Sequence, residues 1–163
     1  MIWAMSIQIG FPAPTFTLNN AQGKPINLSD FLGQWVILYF YPRDNTPGCN
    51  KEACGFRDRY GDFVAQNIQV LGVSTDSEAS HQKFIRKFDL PFMLLCDPDG
   101  TVAKTYESYG PKKFMGKSFE GVFRQTFVID PQGNIAQIYR KVKPETHAQT
   151  LLAESLTWIG TEK

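Results

Sequence analysis

Cys49 and Cys54 stand five residues apart in the run Thr46-Pro47-Gly48-Cys49-Asn50-Lys51-Glu52-Ala53-Cys54, which follows an apolar segment ending at Pro42. Two thiols so placed can run a redox cycle in which one sulfur attacks and the other traps the oxidised product. The thiolate, not the thiol, is the nucleophile, and a helix N-terminus or a neighbouring cation favours it. The local signals put Cys49 at such a terminus. Thr46 is a preferred N-cap and Pro47 a preferred first helical residue, and Gly48 lets the backbone approach closely. Cys49 then falls at the third helical position, where an anion faces unpaired N–H groups and the positive end of the helix dipole. A cysteine at a helix start is often only a small half-buried apolar residue. A Pro-x-x-x-Thr-x-x-Cys pattern at a strand-to-helix junction, with a second cysteine beyond it, argues instead for chemistry.

The elements that must hold this stretch can be read from periodicity. Trp35-Val36-Ile37-Leu38-Tyr39-Phe40-Tyr41 is continuously apolar and rich in aromatic and β-branched residues, which suits a central strand buried on both faces. Ile68 to Ser74 and Phe92 to Cys96 read similarly, with helical patterns over about 47–66 and 77–88 between them. Strand, helix, strand, helix, strand predicts parallel pairing through right-handed crossovers. Gln125 to Ile129 and Asn134 to Tyr139, joined by Asp130-Pro131-Gln132-Gly133, predict an antiparallel hairpin. A last amphipathic helix is expected from about Glu145 to Trp158, with Leu151, Leu152, Leu156 and Ile159 available for burial. Asp97-Pro98-Asp99-Gly100 reads as a turn opening a short helix before Tyr106, and Gly110 to Gly121, lacking a period, as loop. The sum is an α/β domain of thioredoxin-like plan, a mixed central sheet with helices on both faces.

Composition narrows the classes. With 163 residues the chain is expected to form one domain, residues 1–163, with 1–9 as a flexible N-terminal extension. A net charge of +1 argues against a footprint for nucleic acid or an anionic membrane. No apolar run reaches the roughly 18 residues of a membrane span, and Met1 to Gly10 lacks the basic start of a signal peptide. The expected location is therefore the cytoplasm, where three cysteines are for catalysis or metal binding rather than for a disulfide framework. Cys-x4-Cys with Cys96 distant is not zinc-finger spacing. His81 and His147 fall in polar helical settings and are expected to be solvated, and Glu52 beside Lys51 reads as a solvated helix pair.

Pro42, Thr46 and Cys49 match the motif of the peroxiredoxins, and the chain resembles that family. The run from Thr46 to Cys54 is similar to its Q-type subfamily, the bacterioferritin comigratory proteins. Gly72-Val73-Ser74-Thr75-Asp76, Asp97 to Gly100 and Arg124-Gln125-Thr126-Phe127-Val128-Ile129-Asp130 are similar too. The resemblance implies a thiol-dependent peroxidase that reduces hydrogen peroxide and organic hydroperoxides. Cys49 would attack one peroxide oxygen and become a sulfenic acid. Thr46 would offer its hydroxyl to the peroxide, Arg124 would hold the thiolate and polarise the O–O bond, and Pro42 would shield the pocket. Fixed donors aimed at developing charge count for more in a dry pocket than in water.

A sulfenic acid condenses with a thiol to a disulfide, and Cys54 is the expected resolving partner. Residues five apart in an intact α-helix lie about 8–9 Å apart at Cα, beyond the roughly 7 Å a disulfide spans. The first turns of the helix must therefore unwind in each cycle, and Gly55 would ease this at about 1 kcal/mol relative to alanine. Cys96 is expected in the core, with a reserve role as resolving thiol. Recycling would need thioredoxin or another dithiol, and no flavin, haem or metal. The resemblance leans towards a monomer. The competing readings are a thioredoxin-like disulfide exchanger, disfavoured because that chemistry prefers Cys-x-x-Cys, and a non-enzymatic redox sensor.

Overall fold

The computed structural model describes residues 7–160. In chain order, β1 (Thr17–Asn20) and β2 (Pro25–Asn27) lead through a 3-10 turn at Leu28–Phe31 to β3 (Trp35–Phe40). Then come α1 (Pro47–Asp58), α2 (Tyr60–Ala65), β4 (Ile68–Ser74), α3 (Glu78–Phe88), β5 (Met93–Cys96) and α4 (Thr101–Thr105). The chain closes with β6 (Tyr109–Phe114), β7 (Lys117–Val122), β8 (Gln125–Ile129), β9 (Ile135–Tyr139) and α5 (His147–Gly160).

Seven strands form one sheet in the order β2-β1-β5-β4-β3-β8-β9. β3, β4 and β5 are parallel neighbours, as the alternating strand and helix patterns predict. β8 runs antiparallel to both β3 and β9. Side chains alternate across a strand, and β3 shows what that does when both faces are covered. Trp35, Ile37, Tyr39 and Tyr41 enter a core built with α1, α2, α3 and α5. Val36, Leu38 and Phe40 enter a second core with α4, the 3-10 turn and the N-terminal segment. All six residues of β3 are buried. This is the mixed sheet with helices on both faces of a thioredoxin-like fold.

Several expectations need correction. The pattern over 47–66 is two helices, because Arg59 leaves helical geometry (φ −113°, ψ 8°) between them. Periodicity misses the break because the apolar stripe continues across it, with Phe56 and Phe63 both fully buried. Gly110 to Gly121 is not loop but most of a two-stranded hairpin, β6 paired with β7. That hairpin belongs to no core face along most of its length, so it shows no apolar alternation for a sequence reading to find. β1 and β2 were also without a signal, being short and half exposed. Leu156 points to solvent at 69% exposure, whereas Leu151 is buried. Of the proposed extension, residues 1–6 lie outside the described residues. Ile7 packs into the second core, and the Gly10 amide donates to the Ile135 carbonyl, so the end of that stretch is fastened to the fold.

Candidate active site

The strand order explains how distant residues meet. β3 delivers the chain to its C-terminal end at Phe40, where a loop carries it into α1. β8 is antiparallel to β3, with Gln125 opposite Phe40. The residue just before β8, Arg124, therefore stands beside the exit of β3. The β6–β7 hairpin returns the chain to that point, with the Phe123 amide donating to the Ser108 carbonyl.

Cys49 is the third residue of α1 and is 2% exposed. The Arg124 guanidinium reaches it, with Nη2 donating to Sγ at 3.2 Å. The same guanidinium donates through Nη1 to Glu52 Oε1 at 2.6 Å. Glu52 follows Cys49 by three residues, so both lie on the buried face of α1 with Ala53 and Phe56. One planar fork thus spans a sulfur and a carboxylate, a task suited to arginine and not to lysine. Gly48 makes room for it, since a Cβ there would stand 3.1 Å from Arg124 Nη2. Lys112, on the hairpin, donates to the Val122 carbonyl at 2.9 Å and lies within electrostatic reach of both Arg124 and Cys49.

The charges in this group answer to burial. Burial pushes the Glu52 carboxyl up to about 7, against the opposing pull of Arg124. Burial works to discharge Arg124, but Glu52 and then Cys49 hold the guanidinium above its ordinary value. Glu52 is 0% exposed, and its Oε2 has no hydrogen-bond partner among the described residues. The expected solvated Lys51–Glu52 pair is thus replaced by a buried ion pair. The apolar stripe Cys49, Ala53, Phe56 was the signal that could have found it, because Glu52 falls inside that stripe.

Thr46 occupies the N-cap position, yet its side chain does not cap the helix. Its hydroxyl donates instead to the Arg43 carbonyl at 3.0 Å. Pro42, half-buried, opens the same loop. Cys54 is half-buried on α1, and all three cysteines are free thiols. Cys96 is in the core as expected, and burial, then the charges of Glu78, Asp44 and Asp76, push its thiol up to about 11.

Both histidines correct the sequence reading, for neither is solvated. His147 is buried at the start of α5, with Nε2 2.8 Å from Thr126 Oγ1, and burial, then Arg124, lowers it to about 4. His81 is fully buried on α3, in line with Phe84 and Phe88 on the helix's inward face.

Comparison with known proteins supplies the class. Residues 9–138 match the model of the AhpC/TSA family, and the chain belongs to that family of peroxiredoxins. Among its relatives, the peroxiredoxin Bcp of Bacillus subtilis is 42% identical over 148 residues, covering 91% of this chain and 94% of that protein. The fold is also close to a cysteine-to-serine variant of Xylella fastidiosa PrxQ, with a TM-score of 0.88, 33% identity and coverage of 94% and 98%. A bacterioferritin comigratory protein of Xanthomonas campestris, studied for its alkyl peroxide reduction, superimposes with a TM-score of 0.85 at 32% identity, covering 96% and 100%. The chain is accordingly a thiol-dependent peroxidase of the Bcp or Q type, acting on a hydroperoxide and requiring a thiol reductant. Among the described residues, no helix is long and apolar enough to cross a membrane.

Proposed function

We propose that Cys49 is the sulfur that attacks the peroxide, and that the Arg124 Nη2 contact at 3.2 Å is the observation that carries this assignment. The Cys49 thiolate attacks one peroxide oxygen. A sulfur–oxygen bond forms, the O–O bond breaks, sulfur is oxidised by two electrons, and the departing alkoxide or hydroxide takes a proton to leave as alcohol or water. Charge moves from sulfur to the leaving oxygen, and an arginine already aimed at the sulfur needs little reorganisation to follow it. The Thr46 hydroxyl, on the loop before α1, would turn from the Arg43 carbonyl to the peroxide. Pro42 would keep water from the same pocket. Organic hydroperoxides, like the alkyl peroxides of the Xanthomonas protein, are substrates on this reading together with hydrogen peroxide.

The Cys54 thiol then attacks the Cys49 sulfenic acid, forming a disulfide and releasing water. Thioredoxin or another dithiol would reduce that disulfide, with the enzyme acting as a cytoplasmic monomer and a single domain. α1 is helical from Pro47 to Asp58 with both thiols free, so the bridge requires it to open. Opening from Thr46 to Cys54 would release Glu52 and Ala53 from the core, while Phe56, stacked on Tyr39 at 4.7 Å, keeps the rest docked. Gly55 brings its own constraint, since a Cβ there would meet Ala148 Cβ of α5 at 3.3 Å.

Two measurements test this. Mass spectrometry after one equivalent of peroxide is expected to link Cys49 to Cys54 in the wild type and equally in Cys96→Ser. A thiol whose ionisation lies near 11 is a weak nucleophile at neutral pH. A Cys49–Cys96 link would instead transfer the resolving role. Far-UV circular dichroism is expected to show less helix in the oxidised protein, and an unchanged spectrum with the Cys49–Cys54 bridge in place would refute the unwinding.

A further inference from the structure

The loop that joins β3 to α1 is tied down by a buried polar cluster that the chemistry at Cys49 does not use. Asp44 lies in that loop, five residues before Cys49, and is 8% exposed. Its Oδ1 accepts from the Tyr41 hydroxyl at 2.6 Å, and its Oδ2 accepts from the Ser80 hydroxyl at 2.8 Å. His81 Nδ1 stands 2.7 Å from the same Oδ2, and His81 Nε2 stands 2.9 Å from the Leu95 carbonyl of β5. The Asp44 amide donates to Asp76 Oδ2 at 2.7 Å, and Asp76 Oδ2 also accepts from the Ser74 hydroxyl at 2.7 Å.

These partners favour one arrangement of protons on the imidazole. A carbonyl oxygen can only accept, so Nε2 carries a hydrogen. A carboxylate already accepting from two hydroxyls acts as an acceptor towards Nδ1 as well. Both ring nitrogens are thus placed to donate, the arrangement that an imidazolium with no exposed surface requires. A buried charge persists only when it is paired and hydrogen-bonded, and this one is satisfied at both ends.

We infer that the His81 imidazolium, locked onto Asp44, is a positioning residue for the peroxidase: it holds the Pro42–Thr46 loop in place so that Cys49 returns to Arg124 each time α1 opens and closes. The inference rests on Cys49 being the reacting sulfur. The physical need is plain. When α1 unwinds, its own hydrogen bonds no longer locate Cys49, and the segment is held only by what lies upstream and downstream. Upstream, Asp44 is joined by its side chain to α3 and, through His81, to β5, and the exposed side chain of Asn45 adds one bond to α3, its Oδ1 accepting from Lys87 Nζ at 3.0 Å. A sulfur displaced by about 1 Å can lose up to about 100-fold in rate.

The charge on His81 has a defined direction with pH. Burial works against it, but the hydrogen bond and charge of Asp44, then the Leu95 carbonyl and Asp76, hold the imidazole above its ordinary value. A group raised in the fold contributes stability that is fully present below its unfolded value, about 6.5, and is lost as pH rises through the folded one. The anchor therefore loosens on the alkaline side. The ionisable groups around it are Asp44 and Tyr41 on the β3 side, Asp76 after β4, Glu78 on its own helix and Cys96 on β5, with Lys83 and Lys87 lining the cleft that reaches Asp44.

Nitrogen-15 histidine spectra test the state directly, because the chain has 2 histidines and His147, lowered to about 4, supplies a neutral reference. Both ring nitrogens of His81 are expected to be protonated at pH 7. On raising the pH, the second-order rate constant for hydrogen peroxide is expected to fall in step with the His81 titration. His81→Gln is expected to be about 10- to 100-fold slower at pH 7 and to lose that alkaline limb. A neutral His81 at pH 7, or a folded His81→Gln with the wild-type rate and pH profile, overturns the inference. Should His81→Gln not fold, the paired titration and rate profile of the wild type still decide, since a rate that ignores the His81 titration also overturns it. A wild type that keeps its imidazolium but oxidises at another sulfur overturns the assignment of Cys49 and this inference with it. A neutral His81 beside a reactive Cys49 overturns the inference alone.

Discussion

Cys49→Ser is expected to abolish peroxide consumption, a loss of at least about 10,000-fold in the second-order rate constant, because a serine hydroxyl at this position has no base to activate it. Arg124 is a cation and cannot take a proton from serine. Glu52 is occupied by Arg124 through its Oε1. Cys54→Ser separates the two chemical steps. It is expected to consume one equivalent of peroxide at the wild-type rate and then to stop at the sulfenic acid, unless a small thiol is added. Peroxide-electrode traces of single turnovers, with mass spectrometry of the product, distinguish the variants. Fast turnover by Cys49→Ser would remove the sulfur on which the proposed mechanism stands.

Arg124→Ala combines two large effects. Loss of a donor aimed at the reacting charge typically costs about 100- to 1,000-fold in rate. It also strands Glu52, which is fully buried, and breaking a buried pair by removing one partner costs about 3–5 kcal/mol. That cost depends on pH in a definite sense. The Glu52 carboxyl is raised by burial to about 7, above its unfolded value, so the fold binds this proton more tightly than the unfolded chain does. Stability from this group therefore declines as pH rises from about 4.5 to 7. Without Arg124, the pull that lowers the carboxyl is gone, and the decline extends to higher pH. Arg124→Ala is expected to melt near the wild-type temperature at pH 5, where Glu52 is neutral, and well below it at pH 8. Arg124→Lys retains a positive charge but loses the fork that spans sulfur and carboxylate, so its rate is expected to fall between the two. Equal losses of melting temperature at pH 5 and pH 8 would show that Glu52 does not govern the effect.

The reach of the sequence differed from one element to the next, and the differences have physical causes. β3, β4 and β8 were legible to within a residue because each is largely buried on both faces and is rich in β-branched and aromatic residues. The start of α1 was legible because Thr46, Pro47 and Gly48 are local signals that do not depend on the rest of the fold. The β6–β7 hairpin was not, because its strands pair with each other while most of their side chains face solvent. Glu52, His81 and His147 were misread for one reason. Each is polar by type, and its burial depends on a partner distant in the chain: Arg124 for Glu52, Asp44 for His81, Thr126 for His147.

What the chain alone determined is the placement of the thiols: one at the third position of a helix and a second five residues on, too far apart in an intact helix to bridge. Those are matters of covalent geometry and local hydrogen bonding, and they are written within a dozen residues. What only the tertiary structure decided is the setting of that thiol. The antiparallel pairing of β8 with β3 brings Arg124 from 75 residues away to the Cys49 sulfur, and the packing of α3 on β5 buries His81 against Asp44 behind the loop. Charges at such separations are paired by topology, because the cost of burying them is met only where the fold places an opposite charge within hydrogen-bonding reach.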